Sequence, residues 1–215
     1  MTITIFGATG MVGKQLVQQA LFKGNTVKAF GRNVFAELPM EEDNLQLIKG
    51  ALFDEGDVRN ALKESNAVLS CLGGDFGGDD KTRILGMKNI VIQMEKMDVN
   101  RIIAVGGLGL LQADEETIQM DTEDFPKEYL GVSMEHKKGL SYLQASTLNW
   151  TFVCPPTILN EGPTGNMFTA ANFSPSPNNY KINAGDLALF MLKELEQKEF
   201  IPESARELFL LEDQH

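Results

Sequence analysis

Cysteine, histidine and tryptophan are scarce in this chain, and acids outnumber bases. The two cysteines, Cys71 and Cys154, are too few for a disulfide framework and have neither a CxxC partner nor metal-ligand spacing. Both sit in apolar runs, where a buried free thiol is expected, and that fits a reducing cytoplasm. Two histidines, His136 and His215, cannot build a histidine-rich metal site, so no metal is expected. Nineteen Lys and Arg stand against 30 Asp and Glu, a formal charge of −11. Such a surface repels phosphate backbones and anionic headgroups, so neither nucleic acid nor membrane is expected as a partner. A local basic pocket for one phosphate is still compatible with it. No apolar run approaches the length of a membrane span, and no signal peptide precedes the first strand-like segment. The expectation is a cytoplasmic protein whose partner is a small molecule. Nothing in the sequence speaks to oligomeric state.

What is present is alternation. Residues 2–6 are a β-branched run ending at Gly7. Val12, Leu16 and Ala20 then fall at four-residue steps, with Val17 and Leu21 beside them, and Gly24-Asn25 closes that helix. Residues 26–30 and 45–49 read as the second and third strands, and 57–65 as a short helix. Residues 67–72 read as the fourth strand. Ile84, Met87, Val91 and Met94 mark the next helix, and 101–105 the fifth strand. A helix from about 134 to 147 leads into a sixth strand, 150–154. Residues 186–197 look helical and 208–211 strand-like. The expected fold class is α/β, a doubly wound parallel sheet in a single domain over 1–215. Residues 160–182 are expected to form a small lid on the substrate side. Three segments break the rhythm: glycine-rich 73–80, acidic 113–128, and 160–180, rich in Pro, Gly, Asn and Ser. All follow carboxyl ends of strands, the ligand-binding edge of such sheets. Solvated loops are the alternative reading, above all for the acidic one.

Chemistry concentrates in Gly7-Ala8-Thr9-Gly10-Met11-Val12-Gly13, placed between a strand and a helix. Gly7 permits the turn off the strand. Gly10 lets the backbone approach a pyrophosphate, and Gly13 lets the helix lie close to the strand. The pyrophosphate would rest on unpaired N–H groups at the helix N-terminus. This is a Rossmann-type dinucleotide turn. Its two-two glycine spacing, with Ala-Thr in the gap, resembles the extended and atypical branches of the short-chain dehydrogenase/reductase family. Gly31-Arg32, Asn89-Ile90-Val91, Arg101 to Ala104, Ser146 to Val153 and Asp186-Leu187-Ala188 continue the likeness. Cys71-Leu72-Gly73 and Pro155-Pro156 bring it nearest to small NADPH-dependent flavin and biliverdin reductases. It covers most of the chain and is weakest over 108–134 and 163–180. The resemblance implies a dinucleotide site of Gly7, Thr9, Gly10, Met11, Val12, Gly13, Arg32, Asn33, Leu52, Cys71, Leu72, Gly73, Pro155 and Thr157.

The expected cofactor is NADP(H). NAD-specific relatives place Asp or Glu after the second strand to hold the ribose 2′-hydroxyl. Here Gly31-Arg32-Asn33 stands there, with no carboxylate until Glu37. Arg32 offers a planar fork to a 2′-phosphate, and Asn33 a further donor. A charge-assisted hydrogen bond is worth about 1.5–3 kcal/mol, so NADPH should be preferred by about tenfold or more. The adenine-reading Asp of the family is replaced by Ala51. Asp54 is expected to cap the following turn, which leaves adenine to the backbone near Leu52 and to Leu72.

The family's Tyr-x-x-x-Lys pair is absent: Val132 occupies the Tyr position and His136 the Lys position. Gly106-Gly107 replaces the serine after the fifth strand. The remaining candidate proton donors are His136, Ser133, Tyr129 and water. His136 is the catalytic candidate, but Glu135, Lys137 and Lys138 beside it also read as a solvated helix face. Two functions remain open. One is a reductase passing hydride to a flavin-, quinone- or carbonyl-like acceptor that draws its proton from solvent. The other is a non-catalytic NADP(H) sensor like the nitrogen-regulator-like members. Acidic residues 113–128 would repel anionic acceptors if they border the cleft. Nucleotide-sugar substrates are excluded by the short C-terminal part. Met167, Phe168, Phe173 and Tyr180 would line an apolar pocket or anchor their loop to the core.

Overall fold

The structure is a computed structural model describing residues 1–38, 41–74, 81–174, 180–197 and 208–213. Its strands are β1 (Thr2–Phe6), β2 (Thr26–Gly31), β3 (Leu45–Lys49), β4 (Ala67–Ser70), β5 (Arg101–Val105), β6 (Asn149–Val153), β7 (Thr157–Leu159), β8 (Met167–Ala171), β9 (Lys181–Asn183) and β10 (Leu208–Asp213). The helices are α1 (Met11–Phe22), α2 (Val34–Glu37), α3 (Glu55–Leu62), α4 (Thr82–Lys96), α5 (Leu130–Gln144) and α6 (Ala184–Gln197). The main sheet runs β3-β2-β1-β4-β5-β6-β10-β8, parallel throughout except for the final β10–β8 pair. The chain order reverses between β1 and β4, which makes their carboxyl ends the topological switch point.

Period-two alternation on the strands splits the core in two. Ile3 and Ile5 face the layer of α1 and α6, packing with Leu16, Val17, Leu187 and Met191. Phe6, Val68, Ile102 and Ala104 face α3, α4 and α5, packing with Val58, Ile90, Met94 and Leu143. Thr4 lies buried on that second face because its hydroxyl donates to the Ala61 carbonyl at 2.9 Å. Asp54 caps α3, accepting the Asp57 N–H at 2.8 Å, which contributes about 1 kcal/mol. Between β5, β6 and α6, Arg101 pairs with Glu194 at 2.8 Å, and Thr151 Oγ1 donates to the same carboxylate at 3.0 Å.

The doubly wound parallel sheet is as the sequence predicts, and β1, β3 and β5 keep their predicted bounds. Three expectations need correcting. The helix expected from 134 begins at Leu130, after a 3-10 turn at Lys127–Tyr129. The helix expected over 57–65 starts at Glu55, because Asp54 supplies its cap. The 160–182 segment is not plain loop. β7 pairs with β9 in a separate two-stranded parallel sheet, and β8 closes the main sheet against β10.

Candidate functional site

The glycine turn sits where β1 ends at the switch point. Gly7 has φ +82, and a Cβ there would lie 2.3 Å from the Cys71 carbonyl oxygen. A Cβ on Gly13 would lie 2.1 Å from the Gly7 carbonyl oxygen. Both glycines are therefore demanded by the protein's own packing. Gly10 is different. Its φ of −77 and ψ of 173 suit any residue, and a Cβ would touch only the Gly7 oxygen, at 3.4 Å. The space over Gly10 is open, as it is over Gly73, where a Cβ would meet nothing within 4 Å. No side chain caps α1, and no acidic residue occupies its first turn. The N–H groups of that turn thus face an open cradle suited to an anion. This fits a dinucleotide pyrophosphate.

The other predicted residues lie along the same carboxyl edge. Thr9 reaches from the turn toward the end of β2, its Cγ2 3.4 Å from the Cβ position of Gly31. Arg32 and Asn33 follow, both exposed, and among the described residues Arg32 has no ion pair. The first carboxylate after β2, Glu37, is engaged: Lys14 Nζ lies 2.9 Å from its Oε2 and holds it below the ordinary carboxylate range. Lys14 was not among the predicted residues, although it directly follows the third glycine. Leu52 and Leu72, predicted for adenine, lean together on α4 at Gly86, whose Cβ would lie 2.3 Å from Leu52 Cδ2 and 3.0 Å from Leu72 Cδ1. Asn89 Nδ2 donates to the Leu52 carbonyl at 2.9 Å and fixes that loop. Cys71 tucks its thiol toward the Phe6 and Gly7 carbonyls, at 3.4 and 3.5 Å, and burial pushes it up to about 12. It is packing and not a nucleophile. Pro155 is buried beyond β6, while Thr157 is exposed at the start of β7, its N–H on the Tyr180 carbonyl. Residues 75–80 of the glycine-rich loop lie outside the described residues.

Past β5 the solvated-face reading of α5 holds for Lys137 and Lys138, which are exposed, but not for Glu135. Glu135 is 2% exposed and pairs with Arg83 of α4 at 2.8 Å. His136 also turns inward. Its ring meets Phe152 edge-on, with centroids 6.4 Å apart, and lies over Gly107, whose Cβ would be 3.1 Å from His136 Cδ2. A Cβ on Gly106 would lie 2.1 Å from the Phe152 ring. Hence Gly106 and Gly107 make room for two rings. Leu72, Arg83, Met87, Val105, Glu135 and His136 line a small cavity between the β4–β5 edge and α4–α5. Burial, reinforced by the Arg83 charge, pushes the imidazole down to about 3, so it is neutral at physiological pH. Ser133 is buried under Gly109, and Tyr129 stands exposed before α5, so neither joins His136 at this cavity.

The acidic segment is tied down rather than loose. Asp114 accepts from the Glu116 and Thr117 N–H groups, Lys137 approaches Asp121 at 3.7 Å, and Gln112 N–H donates to the Asn172 carbonyl at 2.8 Å. Met167 packs against the core and so anchors its segment, whereas Phe168, Phe173 and Tyr180 are each about half exposed (49%, 45% and 53%) and neither anchor it nor wall a closed pocket. A second anchor is Asp186, fully buried at the start of α6. Its carboxylate accepts from Thr164 N–H and Oγ1 and from Gly165 N–H, at 2.7–3.1 Å. No group of side chains able to hold a metal occurs among the described residues, and no helix there is long and apolar enough to cross a membrane.

Comparison with known proteins agrees with this geometry. YwnB of Bacillus subtilis (strain 168), a protein of uncharacterised function, is 27% identical over 210 residues, covering 93% of this chain and 94% of its own. A Burkholderia pseudomallei structure, provisionally described as an exported protein, is 30% identical with TM-score 0.83 and 99% coverage of both chains. A Streptococcus pneumoniae structure, provisionally described as an NADH-flavin reductase, is 26% identical with TM-score 0.82 and full coverage of both. The family described as NAD(P)H-binding matches residues 7–198, from the first glycine of the turn to the end of α6. The chain belongs to the NAD(P)H-binding family, and the open cradle over Gly10 lies within the residues that the family matches.

Proposed function

We propose that this protein is an NADPH-dependent reductase of the atypical short-chain type, acting in the cytoplasm on a small flavin-, quinone- or carbonyl-like acceptor. Bound NADPH supplies the two reducing electrons; the chain supplies grip, orientation and exclusion of water. One observation carries the reading: the glycine turn and its open cradle share the carboxyl edge of the sheet with the rings of Phe152 and His136, where the resemblance to short-chain reductases implies a Ser and a Tyr–Lys pair. Such a site orients an acceptor but offers no charged acid, which favours acceptors that take their proton from water. The relative provisionally described as an NADH-flavin reductase supports this class. The Arg32 guanidinium, exposed beside the β2 terminus, supports NADPH over NADH, and the fastening of Thr164 and Gly165 by Asp186 supports a lid over the acceptor drawn from residues 160–182. The same lack of a charged acid also favours a second reading, a non-catalytic NADP(H) sensor.

The test is direct. Titration with NADPH and NADH should give tighter binding of NADPH by about tenfold or more, a preference lost in Arg32→Ala. Quinones and free flavins should then oxidise NADPH in the protein's presence, while simple ketones react slowly. Equal affinities in the wild type would refute the NADPH assignment. Absence of oxidation across the acceptor panel would leave the sensor.

A further inference from the structure

We propose that His136 serves as a hydrogen-bond donor to the oxygen of the bound acceptor, and that the buried Arg83–Glu135 pair is the positioning device that holds it in place. The proposal rests on the reductase reading and deepens it by naming a residue for the acceptor side.

The argument begins with cost. Arg83 and Glu135 have side chains only 10% and 3% exposed, and taking both charges out of water costs several kcal/mol before their attraction is counted. The pair bridges α4 and α5 within the wall of a cavity at the dinucleotide edge, so its geometry bears on that edge directly. Arg83 does two things there. One guanidinium nitrogen holds Glu135 Oε2 at 2.8 Å, while the other donates at 3.1 Å to the carbonyl of Gly74, in the loop leaving β4. Glu135 Oε1 is buried with no hydrogen-bond partner among the described residues. The next residue along α5 is His136, so the pair and the imidazole share one turn of helix and one cavity.

Among the described residues the charged and titratable groups around His136 are few. Arg83 faces it from α4, Glu135 adjoins it on α5, and Cys154 beyond β6 has a thiol that burial pushes up to about 12 and thus keeps neutral. Arg83 opposes a second positive charge, and Glu135 is already committed to Arg83. A neutral imidazole still carries one N–H. Its ring cannot tilt freely, being set between Phe152 and the bare backbone of Gly107. A fixed, uncharged donor suits a site where negative charge develops on an acceptor oxygen. In balance, the acceptor gains two electrons and one hydrogen from the reduced nicotinamide and a second proton from water. His136 shares its own proton without surrendering it. This explains how a site without Tyr or Lys can still assist a carbonyl.

The histidine titration can be read by NMR without cofactor or turnover, since only His136 and His215 report and His136→Gln assigns them. His136 in the wild type should stay neutral well below 6.5, the ordinary histidine value. Arg83→Gln removes the opposing charge and frees Glu135, so it should move the His136 titration up. Glu135→Gln leaves Arg83 uncompensated and should move it down or leave it; a packing role alone gives no such opposition. Arg83→Lys, which keeps the charge, covers the case in which Arg83→Gln does not fold, and should leave His136 neutral. In turnover with a carbonyl acceptor, His136→Ala should lower kcat about a hundredfold with dinucleotide affinity unchanged. His136→Gln, which retains an N–H, should recover most of it. A quinone acceptor should feel far less loss. Titration of wild-type His136 near 6.5, or identical shifts in the Arg83→Gln and Glu135→Gln proteins, would overturn the proposal. An acceptor panel with no turnover would instead overturn the reductase reading, leaving the NMR result standing.

Discussion

Gly10 and Gly13 stand three residues apart, yet their substitution should fail in opposite ways. An alanine Cβ at Gly13 would be driven to 2.1 Å from the Gly7 carbonyl oxygen and 2.7 Å from Ala8 Cα, both backbone atoms that cannot swing aside. Such overpacking costs about 1–3 kcal/mol. In a chain of this size each kcal/mol lowers Tm by about 2–4 °C, so Gly13→Ala should melt about 2–12 °C lower. At Gly10 the backbone is in an ordinary extended conformation, and the added Cβ would meet one atom, at 3.4 Å. The fold should lose only about 1 kcal/mol, the difference between Gly and Ala at an N-cap. What the methyl occupies is the cradle. Losing a charge-assisted hydrogen bond from α1 to the pyrophosphate costs about 1.5–3 kcal/mol, or about tenfold to hundredfold in Kd, for NADPH and NADH alike. Gly10→Val should abolish binding while the protein stays folded. Calorimetric titration and thermal melts on the three proteins decide the matter. Undiminished binding by Gly10→Ala, or a melt as low as that of Gly13→Ala, would show that the turn serves the fold alone.

Other consequences follow from buried charge. Removing one partner of the Arg101–Glu194 pair, as in Arg101→Met, should cost about 3–5 kcal/mol, whereas Arg101→Met with Glu194→Met should recover most of it in denaturant melts. His136 is neutral when folded and ordinary when unfolded, so the unfolded chain binds its proton first as pH falls. Stability should therefore drop as pH falls from 6.5 toward about 3, by up to about 1.4 kcal/mol per pH unit, and His136→Gln should flatten that slope. Asp186→Ala should free Thr164 and Gly165 from their anchor, making residues 160–166 the first site of limited proteolysis while α6 remains helical by circular dichroism. Lys14→Ala should leave Glu37 unpaired beside Arg32 and weaken NADPH more than NADH in the same titration.

The sheet was legible because each strand announces itself locally. Thr2 to Phe6 and Arg101 to Val105 are short apolar runs bounded by turn residues, and the glycine turn carries its own geometry. What escaped was non-local. β7, β8 and β9 are short and lie in Pro- and Gly-rich chain, and each exists through a partner distant in sequence, such as Thr157 against Lys181 or Ala171 against Phe209. Glu135 read as solvated because its neutralising Arg83 lies 52 residues away. His136 did leave a signal: it stands four residues from both Val132 and Leu140, on the buried stripe that continues to Leu143. Its charged neighbours concealed that spacing. The Lys14–Glu37 pair was concealed in another way, since the glycine pattern drew attention away from the residue that follows it.

The rings that fill the space over Gly106 and Gly107 also limit where this sequence can go. A serine introduced at position 106 would place its Cβ 2.1 Å from the Phe152 ring, and any side chain at 107 would press on His136. Tyrosine at 132 would have to enter a position that is now buried. A Ser-Tyr-Lys arrangement could therefore not be installed here one residue at a time, because each substitution alone obstructs a ring or enters the buried side of α5. The two bare glycine backbones and the two rings form one fitted unit, and the chemistry of this edge changes only when several of these residues change together.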